Sequence, residues 1–134
     1  MRSFAIAMIA MMGLAGSVAG AEQSYPDLKG TWIGTGTGAF VTALDFGTKA
    51  VPETVDLKLV VDQQQGKHFA GSITSAQYAH SFSGVIKSDG GILLSQPGSF
   101  VEARLTGADT MEACYVRISA FIHLATCEEL KRQK

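Results

Sequence analysis

The stretch Gly30-Thr31-Trp32-Ile33-Gly34-Thr35-Gly36-Thr37-Gly38 constrains the fold more than any other part of this chain. Successive side chains of a strand point to opposite faces. Trp32, Gly34, Gly36 and Gly38 therefore share one face. One indole followed by three bare positions lets a strand bend sharply and lets other groups come close to its backbone. That is the opening expected of a small, tightly curved barrel.

Seven further segments read as strands. Val55, Leu57, Leu59 and Val61 alternate with Asp56, Lys58, Val60 and Asp62, the pattern of a half-buried strand. Phe69-Ala70-Gly71-Ser72-Ile73 is echoed thirteen residues later by Phe82-Ser83-Gly84-Val85-Ile86. Each copy places Phe, Gly and Ile on one face, and packing where a sheet coils is reason enough for the echo. Ser88-Asp89-Gly90-Gly91 and Pro97-Gly98 are turn signals around a short strand, Ile92 to Gln96. Phe100 to Thr106, Met111 to Ile118 and Phe121 to Cys127 follow. No segment has a convincing helical period. Tight turns between consecutive strands imply an antiparallel meander, and about eight such strands close into an up-and-down β-barrel. The fold class expected is all-β. The one long connection, residues 39–54, carries Phe40, Val41, Leu44 and Phe46. A lid over the barrel mouth, a short helix and an extra strand all suit it.

Arg2, the apolar run Phe4 to Leu14 and the small residues Gly16 to Ala21 form the three regions of an export signal. Residues 1–21 are therefore expected to be removed, leaving 22–134 as one β-barrel domain in the periplasm or secreted medium. Four of the five methionines lie in that leader, so the overall hydropathy overstates that of the domain. No later run is long and apolar enough to span a bilayer. Outward strand positions carry Asp, Lys, Ser and Glu, unlike the lipid-facing band of an outer-membrane barrel. Without Arg2 the chain has ten basic against twelve acidic residues. A weakly acidic surface with no basic stripe leaves nucleic acid without an electrostatic footprint.

Cys114 and Cys127 are the only cysteines. An even count in an exported chain favours a disulfide. Pairing them across the final hairpin sets Val116 opposite Ala125 and Ile118 opposite His123. A bridge closing so short a loop contributes about 3 kcal/mol.

Gly-x-Trp on a first strand, followed by a meander, resembles the calycin group of lipocalins, fatty-acid-binding proteins and avidins. Within it, G-T-W-x-G-x-G-x-G is similar to the start of the haem-binding nitrobindins, and His123-Leu124-Ala125 resembles the stretch holding that family's haem-ligating histidine. Over most of its length the chain looks like a family of small, uncharacterised exported bacterial β-barrel proteins. The residues are the G-T-W start, Gln64-x-Gly66-x-x-Phe69-x-Gly71, Gly84-Val85-Ile86 with the Asp89-Gly90 turn, and the ending from Cys114-Tyr115 through Cys127 to Arg132. That likeness implies the fold and export, and no particular function. In calycins the tryptophan packs across the barrel floor under a basic side chain, a role open here to Arg117 or Arg132.

Trp32, Phe69, Tyr78, Phe82, Tyr115 and His123 are the candidate ligand-binding residues, as aromatic or polar groups able to line a barrel interior. His68 and His80 lack metal-ligand spacing. Gly34-x-Gly36-x-Gly38 lacks the spacing of a dinucleotide fingerprint, and there is no nucleophile elbow or P-loop. Nothing organises a nucleophile, base and orienting group, so no enzyme activity and no cofactor are expected. The leading expectation is a binding protein holding a small apolar or amphipathic ligand in the barrel mouth under residues 39–54. A filled barrel acting on a protein partner, inhibitor-like, in the cell envelope is the alternative. Nitrobindin-like haem binding through His123 is the third reading.

Overall fold

The computed structural model describes residues 24–42, 51–76, 78–119 and 122–134. The proposed leader, 1–21, and the centre of the long connection, 43–50, lie outside the described residues. Eight strands run in chain order: β1 (Gly30–Thr42), β2 (Val51–Gln65), β3 (His68–Thr74), β4 (Ala79–Ile86), β5 (Ile92–Gln96), β6 (Ser99–Leu105), β7 (Thr110–Ile118) and β8 (Ile122–Arg132). Each pairs antiparallel with the next, and β8 pairs with β1, so the sheet closes on itself. Closure leaves no unpaired edge strand to template aggregation.

The inward face carries the alternate apolar residues expected from sequence. Leu57, Leu59 and Val61, Ile92 and Leu94, Val101 and Ala103, and Met111 and Ala113 are all buried. Their outward neighbours Asp56, Lys58, Glu102, Arg104 and Glu112 are exposed. One irregularity lies in β2, where the register against β3 shifts between Val61 and Gln63.

The Phe-x-Gly-x-Ile echo has a geometric reason. β3 and β4 pair so that Phe69 faces Gly84 and Gly71 faces Phe82. Each ring thus lies over the other strand's glycine, and the rings meet edge to face with centroids 5.9 Å apart. A Cβ at Gly84 would overlap the Phe69 ring. A bare position filled by a cross-strand aromatic keeps the strongly coiled sheet packed.

In the final hairpin Cys114 stands opposite Cys127, Val116 opposite Ala125 and Ile118 opposite His123. The two cysteines form a disulfide with Cα atoms 4.0 Å apart. β1, β2 and β8 outrun their sequence patterns by the most. Residues 39–42 continue β1 and 51–54 open β2, so strand takes both ends of the connection. β8 runs past Cys127 to Arg132, because a barrel closes only if the last strand pairs along the first. Trp32 pairs with Arg132 and Ile33 with Lys131. Backbone pairing here overrides a composition that reads as a polar tail.

Candidate functional site

The two barrel ends treat their polar groups in opposite ways. At the end where β1 begins and β8 finishes, the lead-in segment 24–29 folds across the opening. Leu28 and Trp32 are both fully buried there, and the Trp32 indole N–H donates to the Leu28 carbonyl at 2.9 Å. The Arg132 guanidinium lies 4.3 Å from the Trp32 ring centre, a cation–π contact. Arg132 also donates to the carbonyls of Lys29 and Asp27, at 2.8 Å each, and forms a 3.4 Å ion pair with Asp109. The Gln64 carbonyl accepts from Leu28 N–H, and its amide donates to Pro26 and Gly66 carbonyls. This end is a bonded floor. Of the two arginines open to the role, Arg132 takes it; Arg117 is exposed on β7.

Toward the opposite end, inward side chains form an aromatic and polar cluster. The Tyr78 ring stacks on His80 at 5.4 Å and 21°, and on Tyr115 at 5.9 Å and 18°. Thr126 sits beside Tyr115 on the next strand. Glu128 follows two residues on, and Gln96 ends β5 on the same inward face. Gln96, Thr126 and Glu128 are 8%, 2% and 4% exposed. Six polar atoms of this cluster are buried without a partner in hydrogen-bond geometry: Tyr78 Oη, Gln96 Oε1 and Nε2, Thr126 Oγ1, and both Glu128 oxygens.

The bare stripe of β1 makes room for this arrangement. A Cβ at Gly36 would stand 2.7 Å from the Glu128 Cβ, so any larger residue would displace the acid. Burial pushes Glu128 up to about 7 from its ordinary 4.5. The Thr126 hydroxyl is near enough to oppose that shift without meeting hydrogen-bond geometry. Burial, reinforced by neighbouring Tyr115, holds the Tyr78 phenol well above its usual range, and the Glu128 charge adds to that effect.

Of the six candidate residues, the structure brings Tyr78 and Tyr115 together in this cluster. Trp32 belongs to the floor at the other end. Phe69 and Phe82 pack on each other and on the facing glycines. His123 lies exposed on the outward face with Cys127, where its ring does not reach the interior. Sequence reasoning missed Gln96, Thr126 and Glu128, and set His80 apart. The signal was present: Leu124, Thr126, Glu128 and Leu130 alternate on β8. It becomes legible only once the strand is extended beyond Cys127. Glu128 and Glu129 do point apart, one buried and one exposed.

A groove of about 630 Å³ on the outer surface crosses Ile33, Thr35, Asp56, Lys58, Glu129 and Lys131. Its polar groups already answer one another: Thr35 donates to Asp56 at 2.6 Å, and Lys131 pairs with Glu129 at 3.5 Å. No group of three or more residues able to hold a metal occurs among the described residues.

No family model matches the chain, and no curated protein does. Among solved structures, a protein with unknown function from the DUF3598 family of Nostoc punctiforme PCC 73102 is similar over 84% of this chain, with a TM-score of 0.50 and 12% identity. The chain spans 53% of that protein, about half its length. The S-type phycobiliprotein lyase CPES from Guillardia theta is similar over 80% of this chain and 89% of its own, with a TM-score of 0.45 and 10% identity. At 12% identity the first likeness concerns the fold alone.

Proposed function

We propose that this protein binds a small amphipathic molecule inside the barrel, among Tyr78, Gln96, Tyr115, Thr126 and Glu128, without transforming it. The observation that carries the reading is the set of six buried polar atoms without partners. Leaving a buried polar group unmade costs about 1–3 kcal/mol, and native interiors rarely keep several such groups together. A ligand with its own polar atoms would satisfy them, while Phe82, Leu94 and Val101 supply apolar surface. We further propose export to an oxidising compartment, which the Cys114–Cys127 disulfide supports.

The test is native mass spectrometry of the protein purified from its own source, followed by denaturation. An equimolar non-covalent mass, absent from a Glu128→Leu variant, is expected. A bare mass, with ordered water on all four side chains at high resolution, would overturn the reading.

A separate observation favours the protein-binding alternative. Phe100 and Ile118 are 39% and 61% exposed on the outward face of neighbouring strands. Loss of a captured partner on Phe100→Ser substitution, with the interior empty, is the result that would select it.

A further inference from the structure

Among the described residues, no cation is paired with the polar cluster. Ionised Glu128 is an acceptor only, and neither oxygen has a partner. The strands on either side present no cation to it. Inward neighbours on β7 are Ala113 and Tyr115, and on β1 they are Gly34, Gly36 and Gly38. Arg132, the basic group turned toward the core, is committed to Trp32 and the lead-in carbonyls at the far end. His80 stacks on Tyr78, and no ion pair joins it to Glu128 among the described residues. An isolated buried carboxylate is unfavourable by several kcal/mol unless a cation meets it.

The surroundings also suit a cation. The stacked Tyr78 and Tyr115 rings form an aromatic wall, and Tyr78 Oη is a further buried acceptor without a partner. Thr126 Oγ1 and Gln96 Oε1 are buried acceptors with free capacity. A primary ammonium has three donors to distribute, and the two Glu128 oxygens and Thr126 Oγ1 are as many acceptors. The acid is held in place as well, since its Cβ rests over Gly36.

We propose that the ligand of this interior site is an organic amine, its protonated nitrogen received by Glu128 beside Tyr78 and Tyr115. This rests on the interior-binding reading above and adds the chemical class of the ligand. Neutral alcohols of the same length lose the charge pair and one donor, and carboxylates meet Glu128 as a like charge.

Hexylamine, hexanol and hexanoate, titrated calorimetrically into the whole disulfide-bonded protein, test the inference. Hexylamine is expected to bind at least about tenfold more tightly than hexanol, and hexanoate more weakly than either. Glu128→Gln should remove the amine preference while hexanol binding persists. Glu129→Gln, one residue away on the outer face, should leave the preference intact. Equal or tighter binding of hexanol would overturn the amine assignment and leave interior binding standing. So would a preference lost equally in Glu129→Gln, which would mark it as surface attraction. Binding of none of the three, together with a bare native mass, would remove the interior-binding reading itself.

Discussion

The two ends of the barrel are built from the same materials and used differently. At the Trp32 end, Gln64 and Arg132 are long polar side chains turned toward a fold-closing segment, and their polar groups meet carbonyls, an N–H, a carboxylate or a ring face. Toward the Tyr78 end, Gln96, Thr126 and Glu128 are at least as buried and have no partner in hydrogen-bond geometry. The first arrangement spends its polarity on the fold. The second leaves it without a partner among the protein's own groups, which is the condition the proposed ligand would answer.

The largest effect should come from breaking the floor. Trp32→Ala removes a fully buried indole, its hydrogen bond to Leu28 and the surface under Arg132. A loss of about 3–5 kcal/mol is expected in chemical denaturation.

The opposite end should respond with the opposite sign. Glu128 is protonated more readily folded, at about 7, than unfolded, at 4.5. Its contribution is therefore fully present below the unfolded value. It is lost progressively as pH rises from there through the folded value. Glu128→Gln does not titrate. Unliganded, it should match the parent near pH 4 and exceed it at pH 8 by up to about 3 kcal/mol, read as thermal unfolding at both pH values. Equal stabilities at pH 8 would mean that Glu128 already has a partner, and the contrast between the ends would fail. A saturating amine should close the same gap.

The smallest effect is expected on the outer face. His123→Ala should shift stability by less than about 0.5 kcal/mol and leave any bound mass unchanged. A Soret band lost on that substitution would instead revive haem ligation, at a site outside the lumen.

How far the site was legible follows from where each residue stands in its strand. Tyr78 precedes β4 and Tyr115 lies within β7, and aromatic character alone nominated them. Phe69 and Phe82 were nominated on the same ground and serve packing, because register sets each over the other's glycine. Glu128 lies beyond Cys127, where the sequence pattern ends the last strand. Only the pairing of β8 along β1 turns it inward, over a glycine that leaves it room. His80 had no partner at metal-ligand spacing in the sequence; its partner is an aromatic face two residues away.

Local pattern already specifies an all-β chain of about eight strands, the register of the final hairpin with its disulfide, and the shared face of Trp32 and the glycines. These are local matters: alternation, turn chemistry and a short loop depend on residues close along the chain. Tertiary structure alone decided that Arg132, a hundred residues away, covers Trp32, and that the glycine row lies beneath Thr126 and Glu128. Closure brings the last strand against the first, and no local pattern records which side chains then meet.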